Sequence, residues 1–327
     1  MRLRIAVIGL GRIGSRYDEG RAGRVPRSHV GAILRDPACE LVGVCDSSLE
    51  SRARFRRDWG DAIPMYGSVA ALLSEATADV FVVATPAESH RRVIERLVGV
   101  RPRLIFCEKP CCATLDDAVA VRALAARRRV PIIVNYHRRW DSRFRRLASR
   151  FHRMGPPAFV QVAYRKGLMN YGSHTVDLLQ LFFGTVTRVE AEKRRSALLD
   201  PSYSATLTFA SGLQARLSGV DDARYELMDI EIFYSDCKYR LALGGFSVER
   251  FQPARGTAVS GYVTLPQSGT TVARGPVSGL AEAYREIPRI LRGASRVDYA
   301  TASSAVGVHR VLHAIRVSAR SGRAVAL

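Results

Sequence analysis

Leu3-Arg4-Ile5-Ala6-Val7-Ile8-Gly9-Leu10-Gly11-Arg12-Ile13-Gly14 is a short apolar run ending in a Gly-x-Gly-x-x-Gly fingerprint. The run suits a buried strand, and helical sequence resumes at Arg12. Each glycine has its own task in such a turn. Gly9 permits the tight bend, Gly11 lets a pyrophosphate approach the backbone, and Gly14 admits close helix packing. N–H groups at the helix start, with Arg12 and Ile13 among them, then receive the negative charge. The fingerprint gains weight from its setting, because an acidic residue should end the next strand. Glu40–Cys45 reads as that strand, and Asp46 follows it. Asp46 is expected to accept from the adenosine ribose hydroxyls and to repel a 2′-phosphate, which favours NAD over NADP. Ser47 and Arg52 would hold that phosphate if Asp46 turned away, so NADP stays as the alternative. The gap from Gly14 to Asp46 exceeds the usual ~20 residues. A polar, Gly- and Arg-rich loop, Asp18 to Arg27, accounts for the excess.

Working outward, strands and helices keep alternating. A helix runs from about His29 to Arg35, and Ser47 caps another that reaches Trp59, with Glu50 completing a capping box. Val80–Ala84 and Leu104–Cys107 are continuous apolar runs, as buried parallel strands require. Leu115–Arg128 reads as an amphipathic helix and Pro131–Val134 as a further strand. This spacing predicts an α/β Rossmann domain with a doubly wound parallel sheet over residues 1–135.

Beyond it the pattern changes to period two. Phe159–Arg165, Thr187–Lys193, Ser204–Ala210, Leu213–Ser218 and Met228–Tyr234 alternate apolar with polar residues. Ser211-Gly212 reads as a two-residue hairpin turn. One helix, His174 to Phe183, interrupts the strands and stops at Gly184. Another carries Val308, Val311, Leu312, Ile315 and Ala319 on one face and ends at Gly322. Residues 136–327 are therefore expected to form an α+β substrate-binding and oligomerisation domain with an open, mainly antiparallel sheet. Its last helix would pack back on the first domain.

The net charge of +20 comes almost entirely from arginine, since Lys109, Lys166, Lys193 and Lys238 are the only lysines. Its densest groups, Arg52–Arg57, Arg127–Arg129 and Arg143–Arg146, fall on separate predicted helices, and no nucleic-acid signature accompanies them. No specific nucleic-acid partner is expected. No apolar run approaches the ~20 residues of a membrane span, and no signal-peptide pattern opens the sequence, so a cytoplasmic location is expected. The six cysteines form no C-x-x-C pair. Cys107, Cys111 and Cys112 are wrongly spaced for a zinc ribbon, and His309 and His313 lack the glutamate of an H-E-x-x-H helix. No metal is expected.

Four motifs in order resemble the Gfo/Idh/MocA family of glucose–fructose oxidoreductase and inositol dehydrogenase. They are the fingerprint, Ala84-Thr85-Pro86, Cys107-Glu108-Lys109-Pro110, and Gly172-Ser173-His174-Thr175-Val176-Asp177. The resemblance implies a nicotinamide cofactor held partly by Thr85, Pro86, Glu108 and Lys109. It also implies Lys109 and His174 beside the reacting carbinol, a cis Lys109–Pro110 bond, and a homodimer or homotetramer joined through the open sheet. Many members carry an aspartate four residues before the histidine, where this chain has Asn170. Dehydrogenating a carbinol takes a base for the hydroxyl proton while a hydride leaves for nicotinamide, and lysine and histidine suit that work. Asn170 and Asp177 are candidates to orient the site. Tyr136, His137, Arg139 and Tyr171 are candidates for substrate hydroxyl or phosphate groups. The substrate expected is a sugar, cyclitol or nucleotide-sugar. Asn170 also leaves room for a cofactor-binding regulator or scaffold that has lost turnover.

Overall fold

The short apolar strands of the first half need cover on both faces, and the helices between them supply it. The computed structural model describes residues 2–19, 25–192, 198–222, 224–253, 263–266, 268–275, 279–295 and 297–327. In order come β1 (Leu3–Ile8), α1 (His29–Arg35), β2 (Cys39–Cys45), α2 (Leu49–Trp59), β3 (Met65–Tyr66) and α3 (Val69–Glu75). Next are β4 (Val80–Val83), α4 (Ala87–Gly99), β5 (Leu104–Cys107), α5 (Leu115–Arg128), β6 (Ile132–Val134) and the single turn α6 (His137–Trp140). All six strands are parallel, in the order β3-β2-β1-β4-β5-β6. The order reverses between β1 and β4, and crevices for ligands open at such a switch point.

The second half contains α7 (Ser142–Met154), β7 (Phe159–Tyr164), a π-helical stretch (Gly167–Gly172) and α8 (Ser173–Phe183). There follow β8 (Val186–Ala191), β9 (Ala205–Phe209), β10 (Gln214–Gly219), β11 (Met228–Phe233) and β12 (Lys238–Ala242). Then come β13 (Ser247–Phe251), β14 (Thr270–Arg274), α9 (Gly279–Leu291), α10 (Ala302–Ser321) and β15 (Val325–Ala326). Nine of these strands form one sheet, β14-β13-β12-β11-β7-β10-β9-β8-β15, antiparallel except for the β10–β7 pair. Alternation does what the pattern predicts. Val160, Val162, Tyr164, Leu207, Leu217, Ile230 and Tyr239 are buried on one face. The other face carries polar pairs such as Gln161–Ser218 and Lys238–Glu231. On the buried face Phe151 of α7 meets Phe182 of α8 and Tyr239 of β12 edge-on.

Contacts divide the chain into two units, Met1–Ser142 with Ser278–Val306, and Arg143–Val277 with Gly307–Leu327. The core of the first unit includes Ile5, Val7, Val82 and Phe106, with Leu280, Ala283, Tyr284 and Ile287 of α9 packed among them.

Four local expectations need correction. No long helix starts at Arg12; the chain makes one turn over Arg12–Ser15 and then a 3₁₀ turn, Arg16–Asp18. The helix resumes as α1, whose first N–H groups bond back to the fingerprint turn, His29 to the Ile13 carbonyl at 2.8 Å and Val30 to Gly14 at 3.0 Å. The intervening loop is thus spliced into one helix, and residues 20–24 of it lie outside the described ones. The cap of α2 is Ser48, which accepts from Ser51 N–H. Asp46 already takes the Ser48 N–H at 2.9 Å, which delays the helix by one residue. The β9–β10 turn spans three residues, because Phe209 N–H bonds to Leu213 and Gly212 adopts φ 84°. The expected strand through Lys193 ends at Ala191 in β8, and Lys193 itself lies outside the described residues.

Candidate active site

At the end of β1 the chain reverses on Gly9, with φ 100°. A side chain there would reach 2.6 Å from the Ala84 carbonyl carbon, so this turn lies directly against the end of β4. Gly14 is packed more tightly, since a Cβ would lie 2.0 Å from the Gly9 oxygen. Gly11, by contrast, faces open space. Arg12 is exposed beside it and Ile13 is partly buried against the core. A bare, concave backbone of this kind suits a pyrophosphate.

Asp46 is fixed from two sides. One carboxylate oxygen accepts the Leu10 N–H at 2.8 Å and the other accepts the Ser48 N–H. Each oxygen retains a lone pair for a ribose hydroxyl. Arg52 is committed to the Asp46 and Ser47 carbonyls, at 2.6 and 3.1 Å. Turning Asp46 aside for a 2′-phosphate would break both of its backbone bonds.

The ends of β4 and β5 are tied together by His90 of α4. Its Nε2 donates to the Thr85 carbonyl at 2.7 Å, while Nδ1 lies 3.2 Å from the Cys111 carbonyl and 3.4 Å from Cys107 Sγ. Pro86 is the N-cap residue just before α4, and Ser89 Oγ donates to Thr85 Oγ1. The Lys109–Pro110 peptide is cis. Glu108 is buried, with its carboxylate turned inward to His29 and Asn135. Burial opposes its charge, but the His29 hydrogen bond, the Asn135 amide and the Lys109 charge bring its pKa below the ordinary carboxyl value.

Tyr136 and Arg139 are buried in the first unit, and the Arg139 guanidinium pairs with Asp298 at 3.4 Å. His137 is partly buried. Burial first, then the charges of Arg138 and Lys109, hold its imidazole well below the usual histidine pKa. The unfolded chain takes up this proton near pH ~6.5, and the folded chain does not, so acidification favours unfolding. Stability is expected to fall as the pH drops below about 6.5, until the folded imidazole protonates. Glu108 adds a loss of the same sign below about pH 4.3. Melting curves of the parent and His137→Gln between about pH 7.5 and 5.5 check the upper part. The variant should be flatter there, and parallel curves would refute the assignment.

In the second unit Asn170, His174 and Asp177 occupy successive turns of one helical run from Gly167 to Phe183. Residues three and four apart share a helix face. His174 and Asp177 are buried, whereas Asn170 is exposed. Asp200 holds the start of this run, accepting from the Met169 and Asn170 N–H groups at 2.9 and 3.1 Å. Tyr171 donates to Glu226 at 2.6 Å, and Lys166 pairs with the same carboxylate. That pair and the tyrosine, the lysine acting most, keep the Glu226 pKa low.

Reading the sequence alone missed His90, His29, Asn135, Tyr284 and Asp200. A signal existed for His90, a histidine on the apolar face of α4 with Val93, Ile94 and Leu97. Among the described residues, no group of three His, Cys, Asp or Glu side chains could hold a metal, and no helix is long and apolar enough to cross a membrane. All six cysteines are buried and free, and burial pushes Cys45 up to about 11.

Residues 3–136 match the oxidoreductase family with an NAD-binding Rossmann fold, GFO/IDH/MocA. Residues 137–240 match the GFO/IDH/MocA C-terminal domain. The chain is 29% identical over 188 residues to a D-apiose dehydrogenase of Paraburkholderia graminis, covering 52% of this chain but only 50% of that protein. It is 24% identical over 304 residues to inositol 2-dehydrogenase of Rhizobium meliloti, covering 80% of this chain and 91% of that one. In fold it resembles the WlbA dehydrogenase from Bordetella pertussis, solved with NADH and UDP-GlcNAcA. That likeness has a TM-score of 0.77 at 20% identity and covers 100% and 99% of the two chains. With both of its halves matched, the chain belongs to the GFO/IDH/MocA family of oxidoreductases, whose N-terminal domain is an NAD-binding Rossmann fold.

Proposed function

We propose that the protein is an NAD-dependent dehydrogenase or reductase acting on a CH–OH group of a sugar, cyclitol or nucleotide-sugar. The observation that carries this reading is the backbone contact of Gly9 with Ala84, which forms a bare cradle at the β1–β4 switch point. NAD, when bound, supplies the hydride acceptor or donor. Gly9, Gly11, Arg12, Ile13 and Gly14 would line its pyrophosphate, Asp46 its ribose, and Thr85, Pro86 and Lys109 its nicotinamide end. Lys109 and His174 serve the reacting hydroxyl, holding and moving its proton, with Asn170 and Asp177 orienting the imidazole or the substrate. We place the working protein in the cytoplasm, which suits six free, buried thiols. We take it as a homodimer or homotetramer, joined through the polar sheet face that is accessible in the single chain.

Formation of NADH, followed at its absorbance band against a panel of aldoses, inositols and nucleotide-sugars, tests the activity. Tight NADH binding with no turnover of any panel member would favour the regulator instead. Cofactor choice rests on Asp46. NADH should bind more tightly than NADPH, and Asp46→Ala should narrow the gap by about 1.5–3 kcal/mol, the worth of hydrogen bonds to a charged group. Equal affinities in the unmodified protein, by fluorescence titration, would sink this assignment.

A further inference from the structure

A chain of polar side chains crosses the apolar heart of the first unit, next to Lys109. Tyr284 Oη lies 2.7 Å from His29 Nδ1, and His29 Nε2 lies 2.9 Å from Glu108 Oε1. Asn135 Nδ2 donates to the same oxygen at 2.6 Å. The second carboxylate oxygen accepts the Lys109 N–H at 3.2 Å. Phe106 packs edge-on against both the His29 and Tyr284 rings. His29 and Tyr284 are fully buried and Asn135 nearly so.

A core alone has no use for such a set, because each buried polar group carries a desolvation cost that an apolar residue avoids. The acceptors also fix the proton positions. A carboxylate only accepts, so His29 donates through Nε2, and the Tyr284 hydroxyl can donate to Nδ1. We propose that His29, Asn135 and Tyr284 are positioning residues that act on Lys109 through Glu108. They set the direction in which the chain leaves β5, and they keep a carboxylate beside the lysine. The proposal rests on the reading of Lys109 as the residue at the reacting hydroxyl. The ionisable groups facing Glu108 are His29, Lys109, Cys107 and Tyr284, and His137 faces Lys109.

With four lysines in the chain, competitive acetylation read by mass spectrometry reports each amine separately. In full-length His29→Met, Glu108 loses a donor and gains a proton, so Lys109 loses a neighbouring negative charge. Removing such a charge shifts a pKa by about one unit, and Lys109 labelling should rise about tenfold relative to Lys166 and Lys238. His29→Gln places an amide N–H where Nε2 was and should restore labelling to near the parent. Tyr284→Phe keeps the ring, should raise labelling by less, and decides the matter alone if His29→Met does not fold. Unchanged Lys109 labelling in a folded variant, or an equal rise at all lysines, would overturn the proposal. Altered labelling with unaltered turnover would keep the positioning role and remove Lys109 from the reaction.

Discussion

Lys109→Met and His174→Ala should each lower turnover of a genuine substrate about 100- to 10,000-fold, the range for losing a general acid–base group. NADH affinity should change little in His174→Ala, and in Lys109→Met, which also loses a contact at the nicotinamide end, far less than turnover. The structure separates these two quantities, because the turn that suits the pyrophosphate is built from β1 and β4 backbone, whereas Lys109 follows β5. Methionine keeps the length of the lysine and removes its proton. Alanine at His174 keeps the helical run that Asp200 caps at Met169 and Asn170. Stopped-flow turnover together with fluorescence titration of NADH checks both halves. Parent-like turnover in both variants would move the reaction to other residues, and the buried Asp177 would be examined first.

Gly14→Ala should be among the most damaging small substitutions in the first unit. Its methyl would meet the Gly9 carbonyl oxygen at 2.0 Å, and the neighbour is backbone that cannot rotate away. Overpacking usually costs about 1–3 kcal/mol, and the upper end is expected here. For a unit of this size that lowers Tm by about 6–12 °C. NADH affinity should fall with it, because any relief opens the turn that Gly9 closes against Ala84. Calorimetry with and without NADH checks this. A variant that melts and binds like the parent would mean that the turn relaxes without reshaping the cradle.

Much of this was legible in the residues. Val80–Val83 and Leu104–Cys107 are apolar throughout, and only a strand covered on both faces needs that. The alternation of Ala205, Leu207 and Phe209 likewise set one face of the second sheet. Lys109 and Asp46 stood out because strand, turn and acid follow each other locally. His29 and Tyr284 did not, since the first finds Glu108 79 residues away and Tyr284 255 residues away. No local pattern reports such a pairing. Asp200 was missed for the same reason, with its amide partners 30 and 31 residues earlier. The helix start at Arg12 failed differently. The bonds that continue that helix come from His29 and Val30, across an insertion that a contiguous pattern cannot bridge.

That splice has a use. The Asp18 carboxylate accepts the Arg27 and Ser28 N–H groups and the Ser28 hydroxyl, so both ends of the insertion are stapled at one buried point. Doubling the length of a flexible loop costs only about 0.6 kcal/mol. The insertion is therefore a port for protein engineering, where an epitope or reporter peptide can be grafted a few residues from the nucleotide fingerprint without altering its geometry.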